Sequence, residues 1–292
     1  IRLSAGYYYS STPERLRQFT GYIDYPAESE GLAQNRVSLS CLDNSFFLQQ
    51  AALKTPMYAN KRTDEVIASF LIEAGFAGAT ALDHGLSVIP WAWGDAEDTW
   101  AECQVVARSE GGVLYAFKEG AIRFERFTHW VEDNDSMNVQ VALERNRVLG
   151  LSGQQSWRDC YSGVRAEWIP RAKGAQTALY TAHEPLVLRP GQTLQHEARF
   201  RYPAAQAWPP SAAGGDFQAV SAGMRNLSAK LTLNTTLYGS MAEVQLTNTS
   251  TSQTIYVLDF RIRGIPLIAE EAQTVQEDST LGIVEDKVFA VP

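Results

Sequence analysis

The sequence has little of what metal and redox chemistry require. Only three cysteines occur in 292 residues, without CxxC spacing, and the four histidines lie in separate segments without the HExxH pattern of a zinc helix. We interpret the cysteines as small buried hydrophobic residues. No GxSxG elbow, Cys-His signature or phosphate-binding loop is present. The sequence therefore predicts a non-enzymatic protein with no catalytic residue, no bound metal and no cofactor.

Long apolar runs and blocks of basic residues are missing as well. The longest apolar stretches, Val66–Phe70 and Ile255–Phe260, are far shorter than the roughly 20 residues of a membrane-spanning helix. The net charge of −8 comes from acidic and basic residues mixed along the chain, so we expect no sequence-specific binding of nucleic acid. The opening lacks the charged and apolar regions of a signal peptide, and we expect the chain to be a piece of a longer protein.

What is present favours a globular protein rich in strands. Hydrophobic residues make up 45% and charged residues 20%, which is enough apolar surface to build real cores, and the length suits two or three domains. Alternating apolar residues predict strands at Ile1–Tyr9, Gln18–Tyr25 and Arg36–Leu42, with a polar turn at Ser10–Arg15, and we expect the three strands to share one sheet. One strand carries three consecutive aromatic rings, of which at least one must point outward, as at an interface. They are Tyr7, Tyr8 and Tyr9.

Two helices and a hairpin are expected next. Thr63 is the predicted N-cap of an amphipathic helix that Gly75 ends. A second helix is predicted over Asp95–Ser109, followed by a hairpin of Val113–Phe117 and Ala121–Phe127 with glycine in its turn.

From about residue 138 the sequence consists of short β runs separated by Pro, Gly and Asn, which is typical of a β-sandwich. The stretch Gln206–Gly215 is expected to be a mobile loop, because its Pro, Gly and Ala sustain neither helix nor strand.

Three groups of side chains offer candidate chemistry. Asp95, Glu97 and Asp98 resemble a glycosidase carboxylate pair, but acidic residues also stabilise the start of a helix, and we favour that interpretation. His183 and His196, each followed by glutamate, could approach each other across neighbouring strands and bind a metal ion. The interpretation as ordinary polar surface is favoured.

The third group is a pair of tryptophans. Trp91 and Trp93 fall at i and i+2, so in an extended segment both face the same side and could stack on a sugar. Ile89 lies on the same side and favours a place in the core instead.

Four segments of the first 127 residues matter for their order and spacing: AGYYYSSTPERLRQFTGYID, RVSLSCLDNSFFL, KRTDEVIASFLIEAGF and WAECQVVARSEGGVLYAFKEGAIRFE. In this order and spacing they resemble the hub proteins of phage tails, the group that includes the trimeric baseplate hub of contractile phages and the tail-associated proteins of long tails. A looser similarity to phage minor tail proteins lies in LDFRIRGIPLIAEE followed by VQEDST.

The resemblance implies a mainly β fold with an α+β insertion, made of β-barrel domains like the tail tube plus a β-sandwich insertion. The expected boundaries are 1–53 for an incomplete first barrel, 54–112 for the α+β insertion, 113–154 for the first part of a second barrel, 155–263 for the β-sandwich and 264–292 for the last part of the second barrel.

The same resemblance implies a structural hub of the tail tip, or baseplate hub, that joins the tail tube to the tip as a homotrimer. The expected partners are further copies of the chain, the distal tail or tube protein and the tape-measure protein. The expected location is the virion tail or a prophage-derived tail-like particle, assembled in the bacterial cytoplasm. We expect the acidic charge to repel DNA and so to let it pass through the lumen of the tail without binding. The alternative is that the sandwich binds a host-surface glycan through exposed aromatic residues, giving a role in host attachment.

Overall fold

The computed structural model describes residues 2–9, 12–29, 36–132, 138, 163–278 and 288–291. Strands account for 48% and helices for 15%, so the predicted mainly β fold class is confirmed. Strand pairing produces sheets of two to four strands among these residues. Closure of any of them into a barrel stays a prediction.

The helices are α1 (Asn44–Gln49), α2 (Thr63–Glu73), α3 (Thr99–Arg108) and α4 (His129–Glu132). The strands up to α4 are β1 (Arg2–Tyr9), β2 (Thr12–Thr20), β3 (Tyr22–Ser29), β4 (Arg36–Leu42), β5 (Leu53–Lys54), β6 (Tyr58–Arg62), β7 (Thr80–Leu82), β8 (Val88–Ala92), β9 (Asp95–Ala96), β10 (Val113–Ala116) and β11 (Ile122–Glu125).

The strands after α4 are β12 (Gly163–Trp168), β13 (Arg171–Lys173), β14 (Thr177–Thr181), β15 (Leu186–Leu188), β16 (Thr193–Arg199), β17 (Ala204–Ala207), β18 (Gln218–Val220), β19 (Leu231–Leu237), β20 (Met241–Asn248), β21 (Ile255–Leu258), β22 (Arg261–Ala269), β23 (Gln273–Asp278) and β24 (Val288–Val291). No helix in the described part of the chain is long and apolar enough to cross a membrane.

The N-terminal strands form two separate ribbons, so the prediction of one three-stranded sheet is wrong. β1 pairs antiparallel with β2, and β3 pairs antiparallel with β4. The predicted turn at Ser10–Arg15 is largely strand. A proline and charged residues are rare in strands, but here the backbone of this segment pairs with β1. Gly21 separates the ribbons, and a Cβ there would lie 2.2 Å from the Leu42 carbonyl oxygen, so this close approach needs glycine.

Residues 44–125 form a compact unit with its own core, here called the α+β unit. The buried side chains of α2, among them Ile67 and Phe70, pack against α3, and α3 in turn packs against β10 of the β10–β11 hairpin. β7 joins this hairpin as a parallel third strand. The core also includes Leu53, Leu114 and Phe124. The predicted boundaries after residues 53 and 112 therefore pass through one core, because hydrophobic packing joins segments that the sequence resemblance separates.

The helix ends are fixed by carboxylates. The predicted N-cap of α2, Thr63, is instead its first helical residue; the helix is capped at Arg62, whose backbone N–H donates to Glu65 at 2.9 Å. α3 begins four residues later than predicted, because Asp98 accepts a hydrogen bond from the Ala101 N–H and so stops the helix from starting earlier.

Residues 171–269 form packed sheets around one core, here called the sandwich, and overlap the β-sandwich expected at 155–263. The sheet of β16, β20 and β19 packs on the sheets that contain β21 and β22, and β20 alternates inward residues such as Val244 with outward ones such as Glu243. The predicted boundary after residue 263 falls inside β22, since Arg261–Ala269 is one continuous strand.

One buried side-chain amide links three chain segments at one end of the sandwich. Asn248 is fully buried, and its side-chain nitrogen lies 2.8 to 3.1 Å from the carbonyl oxygens of Leu188, Arg189 and Gln253. Its side-chain oxygen accepts from the Ser250 N–H at 2.9 Å. Because a buried carbonyl without a partner is costly, this one side chain holds three chain segments together.

The predicted loop at Gln206–Gly215 is more ordered than its composition indicates. Gln206 and Ala207 belong to β17, which pairs with β22. The remaining residues close on the buried Asp216, whose Oδ2 accepts from the Ser211 N–H at 3.0 Å and whose Oδ1 lies 2.5 Å from Arg263 Nε. The prediction that Gln206 and Ala207 form no ladder is therefore wrong.

Candidate functional site

The two N-terminal ribbons expose apolar side chains on strands that have little beneath them. Val37 is 59% exposed and Leu39 is 47% exposed on the same face of β4. Comparable exposure is found at five further large apolar residues of the ribbons, namely Leu3, Leu16, Tyr22, Ile23 and Tyr25, whereas Phe19 and Leu42 are half-buried. A two-stranded ribbon is marginal in water, and open strand edges invite pairing with further strands.

The base of the ribbons is fixed to the α+β unit. The Thr20 hydroxyl donates to the Lys118 carbonyl at 2.8 Å, and within the α+β unit the Asn44 side-chain nitrogen donates to the Gly120 carbonyl of the same turn at 2.5 Å. Gly120, at φ 89, makes the tight β10–β11 turn, as the sequence predicts. A largely apolar cleft of about 410 Å³ lies beside this junction, with Tyr22 in its wall. The ribbons thus project from an anchored base.

The tyrosine run lies in the first ribbon. The backbones of Tyr7, Tyr8 and Tyr9 pair with Glu14, Pro13 and Thr12. Their rings lie outside the described part of the chain, so an interface role for them stays a prediction.

A second sheet of this kind comes from the other end of the chain. β12 pairs with β23 on one side and with β24 on the other. Trp168, Ile169 and Val275 are about half exposed in or beside this sheet. The chain therefore carries two regions of sheet, distant in sequence, that present apolar side chains to the outside.

The two tryptophans share one face, as the i and i+2 spacing predicts. The Lys173 ammonium lies 5.1 Å from the ring centre of Trp91, and the Arg171 guanidinium carbon lies 5.2 Å from that of Trp93. Such cation–π contacts contribute about 0.5–1 kcal/mol each at exposed positions. The pair therefore lies against β13 at the edge of the sandwich.

The core interpretation of the tryptophans is wrong, because neither ring belongs to the core of the α+β unit. Ile89 packs against the core of the α+β unit, whereas Trp91 and Trp93 are half-buried against β13. Asn60, which lies on the paired strand β6, has φ 52 and so departs from regular strand geometry. The register of β6 with β8 is the same on both sides of Asn60, so the different surroundings of Ile89 and the tryptophans come from the contact with β13.

A network that the sequence did not indicate surrounds His129. Its Nδ1 lies 2.6 Å from Asp83 Oδ2, and its Nε2 lies 3.6 Å from Oε1 of Glu125, which is 2% exposed. The same oxygen accepts from the Tyr115 hydroxyl at 2.5 Å and lies 3.4 Å from Arg123 Nε. Burial, together with the Glu125 carboxylate, raises the pKa of Tyr115 to about 12. The network positions α4 on the sheet, and it shows no motif in the sequence because Asp83 and Tyr115 come from segments separate from the one that carries Arg123, Glu125 and His129.

The remaining candidates have structural partners. Asp98 caps α3, in agreement with the favoured interpretation of the carboxylate cluster, and Asp95 accepts from the Ser240 hydroxyl at 2.7 Å. The His196 Nε2 lies 2.8 Å from the Tyr180 hydroxyl, and burial lowers the pKa of His196. His183 is exposed. Within the described ranges no three His, Cys, Asp or Glu side chains gather as metal ligands.

The cysteines are described in part. Cys103 is fully buried in the core of the α+β unit, as predicted, and burial raises the pKa of its thiol to about 12, which keeps it unreactive. Cys41 is half-buried in β4, and Cys160 lies outside the described residues.

The structure thus shows sheets with exposed apolar side chains in the N-terminal and C-terminal parts of the chain, and a tryptophan pair between two units with separate cores. Comparison of the chain with protein-family models, with curated proteins and with solved structures finds no match.

Proposed function

We propose that the chain is a structural subunit of the tail-tip hub of a tailed phage or of a prophage-derived tail-like particle, and that it works as a homotrimer. The observation that carries the proposal is the pair of sheet regions with exposed apolar faces, residues 2–42 and the sheet of β12, β23 and β24. The order of sequence segments that resembles tail hubs supports the more specific identity.

Small sheets with exposed apolar faces need a covering layer to be stable. Two-stranded ribbons gain stability only when further strands or a second layer cover them. Because one chain carries two such regions at different places, a region of one copy is able to cover a different region of the next copy. Contacts of this head-to-tail kind close into a ring when the rotation between copies permits it. A ring is the form that a connector between tube and tip requires.

The first test is the mass of the whole chain in solution as a function of concentration. We expect a species three times the 32.3 kDa of the chain. A monomeric mass at all concentrations overturns the assembly, and a dimer overturns the trimer.

Substitutions localise the contact. Val37→Lys with Leu39→Lys places two charges on the exposed face of β4, and we expect it to abolish the trimer while the far-ultraviolet circular dichroism is retained. The matched control is Ile72→Lys, because Ile72 is 72% exposed on α2, away from the ribbons. Loss of the trimer in the control as well would contradict a ribbon interface.

The hub identity needs a separate test. Electron microscopy of the assembled chain should show threefold rings, and rings mixed with a tail-tube protein should cap its open ends. Rings that leave tubes uncapped would keep the assembly but overturn the hub role. The tape-measure protein, as a second partner, follows from the same resemblance.

The glycan-binding alternative receives no added support from the tryptophan pair, because the cations of β13 lie over both rings. It stays a prediction. Binding of the whole chain to a glycan array would favour it.

A further inference from the structure

The α+β unit and the sandwich have separate cores and meet through polar contacts. Each unit has its own cluster of buried side chains within the described residues. The contacts between them involve β5, β8 and β9 with their adjoining turns on one side, and β13, β16, β20 and the turn between β19 and β20 on the other. An interface without a shared apolar core permits relative motion of the units it joins.

One set of contacts depends on charge. Glu197 and Glu243 are direct cross-strand partners on the outer face of the sandwich, and like charges in that position repel each other. Lys54 of the α+β unit lies 2.6 Å from Glu243 and 4.0 Å from Glu197. The hydrogen bond to Glu243 raises the pKa of Lys54, so its ammonium stays charged. Glu197 also pairs with Arg199 of its own strand at 2.9 Å, so the cation that the other unit supplies serves mainly Glu243.

A second set fixes the geometry. The Gly239 N–H donates to the Thr55 carbonyl at 2.9 Å across the interface. A Cβ at Gly239 would lie 2.5 Å from Trp93 Cβ, so the turn fits against Trp93 only as glycine. Asp95 accepts from Ser240 and lies 3.8 Å from Arg199. The fit is close, yet most of these charged side chains are more than a third exposed to solvent.

The geometry points to a releasable latch: the α+β unit and the sandwich dock through Lys54, Asp95 and the Gly239–Trp93 contact, and salt opens this joint while both units remain folded. Exposed ion pairs are screened by salt, whereas buried apolar cores are not weakened by it. The latch is independent of the proposed trimer, because its contacts lie within one chain.

Residue-resolved hydrogen exchange tests the latch in the whole chain. The Gly239 amide reports opening directly, since its acceptor belongs to the other unit, and the Leu246 amide on β20 reports the sandwich alone. From about 0.05 to 1 M salt we expect exchange at Gly239 to rise about fivefold, given the usual strength of exposed ion pairs, with no rise at Leu246. A constant rate at Gly239, or a parallel rise at both amides, overturns the latch.

Substitutions separate the ion pair from the close fit. Lys54→Met should speed exchange at Gly239 in low salt by about fivefold and remove most of the salt effect. The control is Lys61→Met, because the Lys61 ammonium bonds Ser69 inside the α+β unit. Equal effects of the two lysine variants contradict the proposal.

A wedge variant gives a second readout. Gly239→Val forces Trp93 away, and we expect calorimetry to show two unfolding transitions in place of one, with protection at Leu246 retained. Gly223→Val is the matched control, because a Cβ there would meet only Ser221 Oγ, at 3.9 Å. A single transition in the wedge variant with protection at Leu246 retained overturns the latch, and so does loss of that protection.

Discussion

The ribbons at residues 2–42 and the α+β unit that follows them contain similar kinds of residues but use them in opposite ways. In the α+β unit Phe70 is 1% exposed and packs among helices and a sheet, whereas in the ribbons Tyr25 is 59% exposed. The ribbons have long antiparallel ladders, and no second layer buries their large apolar side chains within the described part of the chain. Hydrogen-bonded pairing alone makes a two-stranded ribbon marginal in water, and under the proposed function the second layer for the ribbons comes from a neighbouring copy.

The contrast is tested most strongly by removing a core ring. Phe70→Ala should lower the free energy of unfolding by about 3–5 kcal/mol, because it removes buried apolar surface and leaves a cavity. Urea unfolding followed by circular dichroism measures the change. Ile72→Ala, on the exposed side of the same helix, should change stability by less than about 0.5 kcal/mol. Similar losses in the two variants would mean that the core does not carry the stability of the α+β unit.

The sandwich sharpens the comparison, because it depends on one polar group as well as on its core. Asn248→Leu should cost about 2–3 kcal/mol, since the carbonyls of Leu188, Arg189 and Gln253 lose their donor in a buried place. The control is Asn234→Leu at an exposed position of β19. An unchanged unfolding midpoint in the Asn248 variant would mean that solvent reaches these carbonyls.

The sequence predicted the cored regions better than the ribbons, for a physical reason. Helix α2 and the hairpin of β10 and β11 follow from local apolar periodicity and turn residues, which do not depend on distant partners. The β1–β2 ladder contains a proline and charges that only a neighbouring strand makes acceptable, so local propensity missed it. The hairpin packs on helices that the sequence resemblance assigned to different domains, so one core extends across the expected boundaries after residues 53 and 112.

The candidate site shows the same limit. The shared face of Trp91 and Trp93 followed from their spacing, but the cations that cover it belong to β13, which no local pattern connects with β8. The partners of His129 likewise come together only through the parallel pairing of β7 with β11 and the chain that follows it.

A histidine in the sandwich predicts a pH effect that the ribbons, which lack histidine, do not share. Burial lowers the folded-state pKa of His196 below its unfolded value of about 6.5, so the unfolded chain binds more protons as the pH falls through that range. The His196 contribution is therefore unchanged above pH 7 and becomes destabilising on acidification, until the pH is below the folded-state pKa. The loss should be under about 1 kcal/mol, because the imidazole is only partly buried.

The measurement compares unfolding free energies at pH 7.5 and 5.5. His196→Gln should show a smaller loss on acidification than the parent chain, and His183→Gln, at an exposed position, should show the same loss as the parent. An equal loss in the parent and the His196 variant would mean that other groups cause the pH dependence.

The smallest effect is expected for a substitution in the ribbons. A large effect there would contradict the contrast between the ribbons and the α+β unit most directly. Tyr25→Ala in the dilute chain should change the free energy of unfolding by less than about 0.5 kcal/mol, because the ring is mostly in water before and after the substitution. At concentrations where copies associate, the same substitution should lower the apparent stability further, since binding to the folded state adds stability by mass action. Urea unfolding at low and high protein concentration measures both. A loss of 2 kcal/mol or more in the dilute chain, as large as a core substitution, would mean that the ribbon is already covered within one chain, and the reason for expecting a neighbouring copy would disappear.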